Sequence, residues 1–159
     1  MESEEPIASI VAFLVRIGIA VRAESAEGDT PIPGASIRDG ALLFDPALPY
    51  PGDLLHEAGH IAVTDPAWRP TLRVPPKDAA EEMAAIAWSY AAAIAAGIDP
   101  ALVFHEYGYR GGGKYLIAAM EGGGGPGVPM LQYFGMTASP RDAAALGRAP
   151  FPQMTRWLR

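Results

Sequence analysis

The chain has 159 residues, enough for one domain that buries roughly 70% of the surface its unfolded form exposes, so a second independent core is not expected. Half of the residues are hydrophobic and only 19% are charged, which excludes a disordered or fibrous chain. The formal charge of −6, with no Lys/Arg cluster able to neutralise successive phosphates, argues against nucleic acid as a partner, and zero cysteines exclude a disulfide framework, a Cys-based zinc finger and a Cys-ligated iron–sulfur cluster.

In chain order, the start at Glu2-Ser3-Glu4-Glu5 is the reverse of a positively charged signal-peptide opening. No run approaches the ~20 uninterrupted apolar residues that cross a bilayer, so no membrane partner is expected and the cytoplasm is the expected location. Ile7, Ile10, Val11, Leu14, Ile17 and Val21 share one helical face after Pro6, which predicts a core helix over 7–21 whose last turn is weakened by Gly18. A surface loop is expected over 23–33. Ala35-Ser36-Ile37-Arg38 and Ala41-Leu42-Leu43-Phe44 flank Asp39-Gly40, a dipeptide suited to a tight hairpin turn.

Three prolines (Pro46, Pro49, Pro51) lead to Gly52-Asp53, where Asp53 is the expected N-cap of a helix running to about Thr64. Asp65-Pro66 stops that helix, and the proline-rich stretch 66–76 predicts no regular structure. A long Ala-rich helix follows over 77–96, with Asp78 near its start and Gly97 as its C-cap. Shorter helices are expected over 100–107, 115–120 and 140–146, with an irregular tail reaching Trp157. The apolar segment 128–134 is expected in the core. The glycine-rich stretches at 111–113 and 122–127 lack the P-loop spacing and a preceding strand, so they read as lids or linkers.

The chemistry concentrates in His56-Glu57-Ala58-Gly59-His60. Only three histidines occur in the chain, and two of them stand four apart. On a helix that spacing puts both imidazoles on one face about 6 Å apart at Cβ, within reach of one tetrahedral Zn²⁺. Any metal here must be held by His and carboxylates, since cysteine is absent. Glu57, offset around the helix, misses the metal but reaches a water beside it, the position of a general base. The small Ala58 and Gly59 allow another element to approach.

With Leu54-Leu55 before it and Ile61-Ala62-Val63 after it, this segment resembles the active-site helix of zincin metallopeptidases. The later segment Glu81-Glu82-Met83-Ala84-Ala85-Ile86-Ala87 resembles the third-ligand helix of the gluzincin branch, as in ImmA/IrrE-type metallopeptidases, with Ala84 in place of the Asn and Met83 in place of the first Ala. The resemblance covers residues 54–93, about a quarter of the chain, and implies Zn²⁺ held by His56, His60 and Glu82, with Glu57 as the catalytic base and a peptide or protein as substrate. Glu82 also falls one turn from Ile86 and two from Tyr90, on an expected inner stripe where an unpaired carboxylate is costly. Glu81 and Asp65 are the alternatives for the third ligand.

His105 and Tyr107 are candidate catalytic donors, with Tyr109 and Arg110 nearby, because a later segment of zincins commonly steadies the developing oxyanion. The expected fold is α+β, mainly helical, with a zincin-like active-site helix beside a small β-hairpin or sheet. The expected activity is zinc-dependent peptide hydrolysis; the alternative is a regulatory zinc-binding protein that keeps such a site without efficient catalysis.

Overall fold

The protein is described from a computed structural model covering residues 4–25, 30, 32–109 and 112–159. It is α+β and mainly helical, with one small mixed sheet. Helix α1 spans Glu4–Arg16 and is shorter than the apolar pattern predicts. Gly18, at φ 98°, turns the chain, and the Ile19 amide closes the helix on the Leu14 carbonyl at 3.0 Å. Val21 is thereby released into a strand, β1 (Val21–Ala23), too short to show an alternating pattern in the sequence.

The hairpin forms as expected from β2 (Ala35–Arg38) and β3 (Ala41–Phe44), with positive φ at both Asp39 (51°) and Gly40 (75°). The sheet order is β1-β3-β2, with β1 parallel and β2 antiparallel to β3. The central strand is buried along its whole length, which explains its uninterrupted Ala-Leu-Leu-Phe. Residues 26–29 and 31 of the expected loop lie outside the described residues.

Helix α2 spans Asp53–Val63 and packs against the sheet and against α3 (Ala79–Ala96). Gly52, not Asp53, is its N-cap: the Asp53 carboxylate turns to His105 and leaves the helix end uncapped. Asp78 caps α3, accepting from the Glu81 amide at 2.9 Å, and Gly97 ends it in the left-handed region. The alanines explain the close packing. Ala84, Ala85, Ala87, Ala91, Ala92 and Ala93 are all buried, and a Cβ added at Gly59 would stand 2.8 Å from the Ala85 carbonyl oxygen.

The expected single helix over 100–107 is two short ones, α4 (Pro100–Val103) and α5 (Glu106–Tyr109), broken at Phe104-His105. Helices α6 (Gly113–Glu121), α7 (Val128–Tyr133) and α8 (Pro140–Leu146) complete the order. The 128–134 segment is core in part: Val128, Leu131 and Phe134 are buried against α3. The glycine-rich stretch before α7 is a packing device at its end, since the Gly127 Cα lies too close to the Met83 carbonyl for any side chain. A 3₁₀ turn (Arg69–Thr71) interrupts the otherwise irregular stretch 66–76.

One apolar cluster links α1, the sheet, α2, α3 and the tail. Trp157 stands edge-on to Phe13 at 4.9 Å and to Trp88 at 5.7 Å, and the buried Trp88 indole donates to the Trp157 carbonyl at 2.9 Å. Among the described residues, no helix is long and apolar enough to cross a membrane.

Candidate metal centre

His56 and the buried His60 project from one face of α2, while Leu54, Leu55, Ala58, Ile61 and Ala62 anchor the opposite side. Helical spacing brings the two imidazoles together with their Nε2 atoms 3.2 Å apart. A donor from each of His56, Glu57 and His60 lies within 4.8 Å of the others, so the group can hold a metal ion.

Glu82 meets the same point from the first turn of α3. Its Oε1 is 3.2 Å from His56 Nε2 and its Oε2 is 3.1 Å from His60 Nε2. A tetrahedral ion with metal–ligand bonds of ~2.0–2.1 Å needs its donors about 3.3 Å apart, and these donors stand near that spacing. The donor chemistry, two imidazoles and a carboxylate, also suits a borderline cation. The Glu82 side chain is 48% exposed, at the mouth of the site and not on an inner stripe as its spacing from Ile86 and Tyr90 suggests. The two imidazoles hold its carboxyl well below the usual carboxylate range, chiefly through their hydrogen bonds.

The two alternative ligands are engaged elsewhere. Glu81 faces Arg159 at 3.4 Å, and Asp65 accepts from the Ala67 amide at 2.8 Å in its own turn. Glu57 makes no hydrogen bond or ion pair with either imidazole among the described residues. Burial pushes its carboxyl up, against the opposing pull of His60 and His56.

Two cavities meet at this point. One, of about 490 Å³, is lined by Pro33, Tyr50, Asp53, His105, Tyr107 and Tyr109; the other, of about 460 Å³, by Val74, Pro75, Pro76, Lys77, Glu57 and His60. Ile32, His56 and Glu82 belong to both. His105 and Tyr107 therefore share a wall with the metal candidates. The His105 Nε2 is 2.6 Å from Asp53 Oδ1, its ring stacks on Tyr50 at 4.3 Å, and its Nδ1 is buried without a hydrogen-bond partner. Tyr107 is 77% exposed and also stacks on Tyr50, at 5.6 Å. Arg110 lies outside the described residues.

Tyr109 is placed unlike the other candidates: its hydroxyl is 3.2 Å from His56 Nδ1, with the rings edge-on at 86°. Burial is the main reason its phenol is pushed well above the ordinary tyrosine range, with the carboxylates of Glu82 and Asp53 adding to the effect. Sequence reasoning missed Asp53 and Tyr50 as parts of the wall. Asp53 carried a usable signal, since it precedes His56 by three residues and Glu57 by four and so shares their helix face. Tyr50, in a proline-rich loop, carried none.

No family model matches the chain, and neither a curated protein nor a solved structure does.

Proposed function

We propose that this chain is a zinc-dependent metallopeptidase similar to the zincins, with His56, His60 and Glu82 holding the ion and Glu57 as general base. The observation that carries the reading is the convergence of the two Nε2 atoms and both Glu82 oxygens at 3.1–3.2 Å, beside a carboxylate that is not engaged by either imidazole. Bound there, zinc would supply an acidified water and polarisation of a scissile carbonyl.

The remaining chemistry belongs to the chain's own groups. Glu57, whose carboxyl burial raises above its ordinary value, accepts a proton from the attacking water and passes it to the leaving amine. Tyr107, on the rim, offers an O–H to the carbonyl oxygen, and His105, held by Asp53, orders the wall beside it. The cavities on either side of His56 and Glu82 support a peptide or protein segment as substrate, because an extended chain can cross from one to the other. A cytoplasmic setting agrees with the lack of cysteine.

Elemental analysis of the purified protein together with peptide-library cleavage tests this. The expected result is about one zinc per chain, and cleavage that Glu57→Gln abolishes while zinc remains. Failure to bind zinc, or cleavage that survives Glu57→Gln, overturns the proposal. Bound zinc with no cleavage by the wild type would favour a regulatory zinc-binding protein.

A further inference from the structure

We infer that Tyr109 is a positioning residue for the metal, acting through His56, and that it couples metal occupancy to the order of the cavity wall at residues 105–109. The inference rests on the metal-binding part of the proposed function and not on its peptidase part.

An imidazole that offers its Nε2 lone pair to a cation must carry its proton on Nδ1, and that N–H needs an acceptor fixed by the surrounding structure. At His56 the atom in that place is the Tyr109 hydroxyl oxygen, 3.2 Å away. A hydroxyl both donates and accepts, so it can satisfy Nδ1 in either tautomer, but only as acceptor does it leave Nε2 free for the ion. The Tyr109 ring is held for this by Phe104, 5.2 Å away between centroids.

The segment has a second attachment to the same helix face. His105 Nε2 meets Asp53 Oδ1 at 2.6 Å. Residues 105 and 109 thus clasp residues 53 and 56, two side-chain links from the residue before α5 and the last residue of α5 to one turn of α2. Tyr107 and Gly108, which line the cavity, lie between the two links. Gly108 fits because its Cα passes close to the His105 ring: a Cβ there would stand 3.2 Å from Cε1. The Asp53–His105 link does not involve a metal ligand, whereas the Tyr109–His56 link does. A cation on His56 Nε2 selects the tautomer that donates to Tyr109, so it tightens that link, and by linkage the link favours the cation by the same factor.

The test uses the full chain, with Zn²⁺ affinity measured by chelator competition and backbone order by hydrogen exchange. Tyr109→Phe should weaken zinc binding about 10–100-fold with an unchanged far-UV spectrum, while Tyr133→Phe, at an exposed tyrosine, should leave it within about twofold. In the wild type, zinc should slow exchange across 105–109, and Tyr109→Phe should remove that zinc-dependent slowing. Wild-type zinc affinity in Tyr109→Phe overturns the inference. So does exchange across 105–109 that zinc leaves unchanged in the wild type, an arm that needs no variant to fold. A wild type that binds no zinc overturns the metal reading itself, and this inference falls with it.

Discussion

The junction of α2 with α3 and the wall formed by residues 105–109 enclose the same centre by opposite physical means. Beneath the ligands, Ala58, Ala62, Ala84, Ala85 and Trp88 are fully buried, and the backbones approach closely at Gly59. Across the cavity the wall is a four-residue helix none of whose residues is fully buried, attached by two polar links, a stack of rings at Tyr50 and the packing of half-buried Tyr109 on Phe104. The candidate ligands sit on the close-packed side, where a small displacement is costly. The groups that would meet a substrate sit on the side that can yield. A group able to hold a metal ion thus rests on a close-packed base with a less tightly held wall opposite.

The largest effect should come from disturbing the packed side. Trp88→Ala removes a buried indole, its bond to the Trp157 carbonyl and its contacts with Phe13, and should cost about 3–5 kcal/mol in chemical denaturation. Gly59→Val should cost about 1–3 kcal/mol or more, because the Ala85 carbonyl at 2.8 Å from the new Cβ is backbone and cannot swing aside. If Gly59→Val unfolds like the wild type, the close α2–α3 approach is not what fixes the ligands, and the contrast between the two sides fails.

Next in size is the loss of a ligand. His60→Ala should weaken zinc binding by more than the ~100-fold upper range for an outer partner such as Tyr109, while its metal-free form loses a buried imidazole and its pairing with Glu82, a stability cost of about 1–3 kcal/mol. Chelator competition and urea denaturation of the same sample separate the two effects. A smaller loss of affinity than that of Tyr109→Phe would mean that His60 is not in the coordination shell.

On the yielding side, Asp53→Ala leaves the part-buried His105 Nε2 without its partner, and should cost about 1–2 kcal/mol. The cost should be local. Hydrogen exchange should accelerate across 105–109 and stay unchanged along the buried middle of α3. Acceleration in both places would show that the wall is continuous with the core and not a separately attached flap.

The two sides also differ in how far the sequence discloses them. Helices α2 and α3 are legible from local chemistry: apolar spacing, Asp78, Gly97, and the small pair Ala58-Gly59 that signals a close neighbour. The pairing of His56 with His60 follows from helical spacing, whereas Glu82 comes from the resemblance of its segment to a third-ligand helix, since the inner-stripe argument for it does not hold at its exposed position at the mouth. The wall depends on long-range pairing. That Asp53 turns to a histidine 52 positions later, instead of capping its own helix, is decided by tertiary contact and leaves no local trace. Likewise Tyr109, one of several polar groups in 105–110, is distinguished from Tyr107 only by which of them the fold delivers to His56. Strand β1 and the end of α1 turned on the conformation of one glycine, which overrode an apolar period that continued through it.

The smallest predicted effect bears on where Glu57 stands between the two sides. Its carboxyl is raised above the ordinary carboxylate value, first by burial, so the folded chain binds that proton more tightly than the unfolded chain does. The ionised side chain therefore costs stability at pH above its folded pKa, and the cost vanishes as pH falls below the ordinary carboxylate range. Glutamine is a neutral isostere and carries no such cost. In zinc-free protein, Glu57→Gln should raise the free energy of unfolding near neutral pH, and the gain over wild type should shrink to nothing by about pH 4. Urea titrations with a chelator present at both pH values measure this. A variant less stable than wild type near neutral pH would mean that the attraction of His60 and His56 outweighs burial, which would place Glu57 among the groups that bind the cation's position and not beside them as a base.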